Sequence, residues 1–407
     1  MVRPRTGLSA AAGAVQAALW PPLGHLALVS LAGSLPVAST RTVSARHTFV
    51  VLIPARNEEA NIDGAVTSAL QASYPDRRRK VIVIADNCTD STAARARASG
   101  AEVWERFEAT RASKGAALEW GLDRLRADPG WDAVVVLDAD AILSPVFLSA
   151  VDQRLAEGCR VVQGERYVTN PGDNVISRLA QVSSAAQCVL RPRGRTRLGG
   201  AAKLVGNGMV FRRDVLEECP WRVESLAEDL EYWLELLEHG IRPVHEPGAV
   251  VWDLMPTNLR SARVQRARWE AGRLTLLRRY LRGKSLGAAK RDPVLAEALM
   301  SEIVFPNLSV TGTAILGAGL IRWAVARRGA RTAVLQSSVL LGHLVLALRA
   351  AGSPPAAYAS LAMAPLVAVW RLWVTLEAAV RGAGLKWQGT PRSQADDLRQ
   401  PVPAPSR

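Results

Sequence analysis

The chain has 407 residues, is 49% hydrophobic and carries a formal charge of +14, room for two or three domains with one large core. Its four cysteines (Cys88, Cys159, Cys188, Cys219) contain no CxxC pair and its five histidines form no cluster, which argues against a zinc module or disulfide framework and for a reducing, cytosolic setting. The basic excess is mostly scattered arginine, and with long apolar stretches in the same chain it points to membrane lipid or a phosphorylated substrate rather than to nucleic acid.

From Thr6 to Thr40 there is no charged residue, and the leucines from Leu19 to Leu31 make much of the stretch apolar enough for a bilayer. Pro21, Pro22 and Pro36 interrupt it, so the spacing fits a bent span or a re-entrant hairpin equally well. A cleaved signal peptide competes with both, because Arg3 and Arg5 precede the apolar run.

Four strands then alternate with helices. Thr48 to Pro54 (TFVVLIP) leads into Ala55-Arg56-Asn57-Glu58-Glu59, where Asn57 is positioned to cap a helix carrying Ile62, Val66 and Leu70 on one face. Lys80 to Ala85 ends in Asp86-Asn87-Cys88-Thr89-Asp90, followed by a helix that Gly100 terminates. Ala101 to Trp104 is the third strand, and Lys114-Gly115 opens a helix stopped by Asp128-Pro129-Gly130. The fourth, Val134 to Leu137, belongs to VVVLDADAIL, where an apolar run stops at two carboxylates one residue apart. Runs this apolar belong to a parallel sheet covered on both faces, joined by right-handed crossovers.

Side chains at i and i+2 of a strand point the same way, so Asp138 and Asp140 are expected to meet one hard divalent cation, Mg2+ or Mn2+, shared with phosphate oxygens. Ligands of open α/β sheets bind beyond the carboxyl ends of the strands, which would also let Asp86 accept a base N–H. The turn after the first strand, PARNEE, has no glycine, which argues against a nicotinamide-binding GxGxxG site.

Beyond the fourth strand the alternation stops. Arg160 to Gln163 is followed by Gly206-Asn207-Gly208, a loop where backbone approaches a ligand or a turn feeding an ordinary strand. Ser225 and Glu228 have the spacing of a capping box, a structural reason for Glu228, whereas Asp229 is placed to be a base. Arg260 to Tyr280 reads as an arginine-rich interfacial helix. Ile303 to Leu320, Thr332 to Leu348 and Pro355 to Trp370 are three further apolar segments near the lower limit for spanning, and the arginines between the first two conflict with simple in-out counting from a cytosolic domain. The tail from Arg381 reads as disordered.

Taken in order, these stretches resemble family 2 glycosyltransferases, specifically the membrane-embedded branch that includes poly-N-acetylglucosamine, hyaluronan and cellulose synthases and ceramide glucosyltransferase. The similarity covers Phe49 to Tyr280. PARNEE resembles the family's first nucleotide loop, ADNCTD its DDGSxD segment, Lys114-Gly115 its KG element, DAD its DxD motif, AED at 227 to 229 its TED-type motif and QRARW at 265 to 269 its QxxRW motif. Asn87-Cys88 stands where the pattern has Gly-Ser, and Ala227 where it has Thr.

The resemblance implies a GT-A fold with a mostly parallel central sheet, transmembrane helices at both ends, and inverting transfer from a nucleotide sugar, a UDP-sugar first, to a polysaccharide or glycolipid acceptor. The alternative is single addition to a lipid or lipid phosphate, and a nucleotide-binding membrane scaffold or transporter is the non-enzymatic competitor. Asp229 is then the general base. Pro54, Arg56, Glu58, Asp86, Lys114 and Asp138 would face the nucleotide, with Asp138 and Asp140 on the metal. Gln163, Asn207, Gly208, Glu228, Gln265, Arg268 and Trp269 would face the acceptor. The division expected is a membrane segment over 1–42, the catalytic domain over 43–255, interfacial helices over 256–300, transmembrane segments over 301–380 and the tail over 381–407. The implied setting is a multi-pass protein of a bacterial plasma membrane with its catalytic domain toward the cytoplasm.

Overall fold

The computed structural model describes residues 4–37, 45–282, 287, 289–305 and 308–381; the tail expected to be disordered lies, except for Arg381, outside the described residues. Its centre is an eight-stranded sheet ordered β3-β2-β1-β4-β7-β6-β8-β5. The first four strands in sequence are β1 (Phe49–Ala55), β2 (Arg79–Asp86), β3 (Glu102–Arg106) and β4 (Ala133–Val136). They pair in parallel, with β1 flanked by β2 and β4. The chain thus steps outward from β1 to β3 and then crosses back to β4, creating a switch point between β1 and β4 where a crevice opens at the strand ends. The mostly parallel sheet expected from the resemblance is present, extended by β5 (Ala141–Leu143), β6 (Val161–Val168), β7 (Met209–Arg212) and β8 (Val244–Asp253). Among these later strands, β7 runs antiparallel to β4 and β6, while β6 and β8 are parallel.

Each central strand is apolar at successive positions because both its faces are covered. On β1, Val50 and Leu52 join the core under α5 (Lys114–Leu125) and α10 (Glu228–Glu238). Phe49, Val51 and Ile53 join the opposite core, under α3 (Ile62–Leu70) and α6 (Phe147–Ala156). The remaining helices around the sheet are α4 (Thr92–Ala98), α7 (Val175–Ser184), α8 (Arg191–Arg197) and α9 (Arg213–Glu218), with a π-helical stretch, Ala185–Leu190, between α7 and α8.

Two local expectations change. The first crossover helix begins at Ile62 after Asn61, and Asn57 instead adopts a left-handed backbone with φ 54° while its Oδ1 accepts from the Thr89 amide at 2.8 Å. It ties the first loop to the second rather than capping a helix. The fourth strand falls where expected, but Asp138 and Asp140 do not alternate along it, because β4 ends at Val136, a turn follows, and Ala141–Leu143 pairs with β8 at the far edge of the sheet.

Four helical segments are long and apolar enough to cross a membrane: Gly7–Ser34, Leu308–Ala326, Ala330–Ala350 and Pro355–Val380. In the first, α1 (Pro4–Ala18) and α2 (Trp20–Ser34) meet at Leu19, whose backbone stays helical, with Leu19 N bonded to Val15 O and Leu23 N to Leu19 O. Pro21 and Pro22 occupy the first turn of α2, where a missing N–H costs little, so the segment is one interrupted helix and not a hairpin. Its carboxyl end accepts Arg197 hydrogen bonds at Ala32 and Leu35, whereas Gln16 near its start donates to Gly329 O at 3.2 Å. The arginine-bearing turn at 327–331 therefore lies at the end of the bundle away from the sheet.

α2 crosses α8 at backbone distance. A Cβ on Gly33 would sit 2.2 Å from Leu190 O, and one on Gly194 would sit 2.0 Å from Val29 O. Small residues let helices approach this closely. Gly194→Ala must therefore force the two helices apart, and the expected cost is about 1–3 kcal/mol. Thermal unfolding in detergent checks this: Gly194→Ala should melt lower than wild type, while Gly7→Ala, with open space around it, should not.

Candidate active site

The crevice at the switch point is a cavity of about 310 Å3 lined by the ends of β1, β2 and β4, by the turn before α10, by the long helix α11 (Leu259–Arg282), and by residues of β6, β8, α7 and the last helix, Ala364–Arg381. Pro54 borders it from the end of β1, and Arg56 and Glu58 from the loop that follows. Their loop is stapled to the one after β2, since Glu58 N donates to Thr92 Oγ1 at 2.8 Å and the Glu59 carboxylate accepts from Ser91 N at 2.9 Å. Asp86 ends β2 and is 3% exposed. Burial raises its carboxyl pKa against the pull of Arg106, whose Nη1 donates to Oδ1 at 2.5 Å. Asn87 also donates to Oδ1, leaving Oδ2 as the oxygen that takes no protein hydrogen bond among the described residues.

Lys114, Asp138 and the 206–208 loop form the centre. The Lys114 ammonium bonds both Asp138 Oδ1 and Gly206 O. Burial opposes its charge, but Asp138, Glu228 and Asp229 outweigh that and raise its pKa. Asp138 and Asp140 both line the cavity, though from the turn after β4 rather than by alternation along a strand. The turn is pinned because Asp138 N donates to Asn207 Oδ1 at 3.0 Å, and Asn207 Nδ2 in turn donates to Asp253.

Asn207, Gly208 and Gln163, expected to face the acceptor, do not line the cavity. Asn207 and Gln163 are each 1% exposed, and Gln163 Nε2 donates to Asn207 O at 2.8 Å while its Oε1 accepts from Val205 N at 3.0 Å. A Cβ on Gly208 would meet Val251 at 2.8 Å. These three residues support the loop from beneath, and Gly206, with φ 79°, is the one that reaches the cavity.

Asp253, at the end of β8, was not singled out from the sequence. It is buried, and its pKa is pushed up to about 7 by that burial, against Arg166 and with the fields of Asp140 and Asp138. Its pattern, an apolar strand stopping at an acid, is the one that drew attention to Asp86 and Asp138. Asp138 and Asp140 have the hard oxygen donors that Mg2+ or Mn2+ takes. Among the described residues no three acidic, histidine or cysteine side chains form a closed ligand set. A cation at this turn would draw the rest of its shell from phosphate and water, which fits a shared metal and not a structural one.

The turn before α10 supplies Glu228 and Asp229. A Cβ on Gly206 would lie 3.3 Å from Asp229 Oδ2 and 3.6 Å from Lys114 Nζ, so base candidate, ammonium and loop share one corner. The expected capping box is absent: Ala227 precedes the helix with no side-chain cap bond, and Glu231 instead accepts from Glu224 N and Ser225 N. Glu228 thereby loses its structural explanation. Burial lifts its pKa to about 7, with Lys114 opposing and Asp229 reinforcing.

Gln265, Arg268 and Trp269 face the cavity from α11. The helix approaches because residue 272 is glycine; a Cβ there would sit 2.6 Å from Ala227 N. Lining residues that the sequence reading passed over include Arg166, Lys203, Arg266, Glu302 and Arg371.

Open parallel strands, an acid beyond each of several strand ends and a lysine among them define an α/β protein with a charged crevice beyond the carboxyl ends of its strands. The chain belongs to the family described as glycosyltransferase like family 2, whose model matches residues 46–272. It is 28% identical over 208 residues to a beta-monoglucosyldiacylglycerol synthase of Nostoc sp., covering 50% of this chain and 42% of that one. It is 23% identical over 241 residues to a poly-beta-1,6-N-acetyl-D-glucosamine synthase of Staphylococcus epidermidis, covering 56% and 55%. The chain thus spans about half the length of these relatives. Its fold is also that of a mannosyltransferase from Pyrobaculum calidifontis solved with GDP-Man and Mn2+, at TM-score 0.55 and 22% identity over 92% of this chain and 98% of that one.

Proposed function

We propose that this glycosyltransferase is a membrane-bound, inverting enzyme that moves a sugar from a nucleotide-diphospho-sugar, a UDP-sugar first, onto a saccharide or lipid acceptor. The observation that carries the reading is the single corner shared by Lys114, Asp138, Gly206 and Asp229. A lysine cation beside a carboxylate able to take a proton supports this reading, the first suited to a diphosphate and the second to an acceptor hydroxyl.

In this reading the base of the nucleotide donates to Asp86 Oδ2, and Arg56, Glu58 and Pro54 border it. The diphosphate lies toward Lys114 and Arg268, whose positive charges stabilise the charge that develops on departure. Mg2+ or Mn2+ bound through Asp138 and Asp140 would supply further charge to the leaving group. Asp229 takes the proton from the acceptor hydroxyl as its oxygen bonds to the anomeric carbon from the face opposite the leaving diphosphate. One displacement inverts the centre and requires no covalent intermediate. Trp269 offers the acceptor an apolar face. The catalytic region would face the cytoplasm of a bacterial cell, where nucleotide sugars are made, with the four apolar segments in the plasma membrane.

The test is to incubate membranes carrying the full chain with a panel of radiolabelled nucleotide sugars and to size the lipid-soluble and polymeric products on a gel. A labelled product from one donor supports the assignment. Nucleotide binding without hydrolysis or transfer of any sugar would instead favour the scaffold reading.

Glu228 adds a pH signature. Below about 7 its carboxyl is protonated, and above that value it becomes an anion beside the diphosphate site. Nucleoside diphosphate affinity should therefore fall severalfold between pH 6 and 8, and Glu228→Gln should flatten the curve. Isothermal titration at fixed Mg2+ reads this, and an unchanged slope in the variant would show that Glu228 is not the group whose charge the nucleotide meets.

A further inference from the structure

The turn that delivers Asp229 is not held by the residue ahead of its helix, because Ala227 has no side chain able to cap it. The holding group is Glu231, a buried acid within α10 that does not line the cavity. Its Oε2 accepts from Glu224 N at 3.0 Å and from Ser225 N at 2.7 Å, while its Oε1 accepts from Arg279 Nη1 at 2.7 Å. One carboxylate thus joins the backbone ahead of Asp229 to α11, through charge-assisted bonds with defined directions. The Arg279 side chain is 67% exposed, so the ion pair adds little to stability, and its effect is on geometry.

Gln265, Arg268, Trp269, Gly272, Leu276 and Arg279 recur along α11 at the i, i+3, i+4, i+7, i+11 and i+14 positions of a single helical face. The first three line the cavity. The other three meet the Asp229 turn and α10. A Cβ on Gly272 would lie 2.7 Å from the Ala227 Cβ, Leu276 is buried in the same core as Ala227 and Leu230, and Arg279 holds Glu231. Gly272 and Arg279 are two turns apart, about 10 Å along the axis. One contact would leave α11 free to pivot, whereas two so far apart fix its register and its rotation against the turn.

We propose that Glu231 is a positioning residue for sugar transfer: through Arg279 it sets the distance between the turn of Asp229 and the face of α11 that carries Gln265, Arg268 and Trp269. This rests on the transfer reading and concerns the geometry of that same site. The proton acceptor and the acceptor-facing helix come from separate elements, and a displacement of about 1 Å between reacting groups can cost about a hundredfold in rate.

The test is a double-mutant cycle on the full chain. Glu231→Gln keeps an amide oxygen for the two backbone donors and removes the charge that Arg279 meets; Arg279→Gln removes the other half. Each should lower kcat about tenfold while leaving donor KM and UDP affinity within about twofold, and the double variant should fall no further than either single change. Melting temperatures should stay close to wild type in all three. An unchanged kcat in Glu231→Gln, a loss that follows donor affinity or melting, or additive losses overturns the assignment. Hydrogen exchange of the same proteins in detergent reads the link without turnover. Arg279→Gln should raise exchange across residues 224–230 severalfold, whereas Arg278→Gln, at the exposed neighbouring position, should not. Unchanged exchange in Arg279→Gln overturns the link between turn and helix. That exchange response in a chain that transfers no sugar would count against the transfer reading and not against the link.

Discussion

Asp229→Asn is expected to lower sugar transfer by about 10²–10⁴-fold while leaving nucleotide-sugar affinity within a few-fold of wild type, because the change removes a proton acceptor without altering shape. The amide is chosen for a structural reason. Asp229 Oδ1 accepts from Leu230 N at 2.8 Å at the start of α10, and an amide oxygen keeps that bond. Asp229→Ala loses the bond and a favourable first-turn acid as well, worth roughly 0.3–1 kcal/mol, so it should abolish transfer with a small stability loss. Initial rates with the labelled donor, paired with a binding isotherm on the same preparations, separate the two effects. Retained turnover in Asp229→Asn would falsify the base assignment, and a parallel loss of donor binding would mean that the carboxylate supports the Lys114 corner rather than the acceptor.

Asp140→Ala is expected to act on binding, and only when a divalent ion is present. With Mn2+ or Mg2+ the variant should bind nucleoside diphosphate at least about tenfold more weakly than wild type, the loss of one hard oxygen ligand from a shared cation. With the ion chelated, the two proteins should bind alike. Asp138→Ala should behave differently, because Asp138 also holds Lys114. Removing it frees an ammonium for the diphosphate even as a metal ligand is lost, so its affinity in chelator should equal or exceed that of wild type. Titrations of both variants with and without EDTA decide the matter. A metal-independent defect in Asp140→Ala would show that the residue shapes the turn after β4 instead of contacting the cation.

Much of the sheet region was legible from the chain because its strands are buried on both faces. Four apolar runs announced β1 to β4 to within about two residues, and each polar loop behind them fell at the same sheet edge. The acids at 86, 138, 140 and 229 could be singled out because each follows an apolar run or opens a helix. The local reading failed where one residue had two satisfactory partners. Asn57 has the chemistry of a helix cap, but a loop 32 residues away offered its side chain a backbone amide. Ser225 and Glu228 have capping-box spacing, yet Glu231 reaches back to those amides first.

What this sequence determined by itself is the kind and order of its elements and the acids that line the crevice beyond the strand ends, since period and burial are written in neighbouring residues. Which distant charges share a cavity was decided by the tertiary structure. Asn207 and Gln163 look like site residues in the sequence and lie beneath the floor; Asp253, Arg266 and Arg371 look ordinary and lie inside. The reason is that β8, α11 and the last helix reach the crevice by packing on the sheet and on one another, and the side chains they bring are selected by which face is buried, a property of the assembled layers and not of any local stretch.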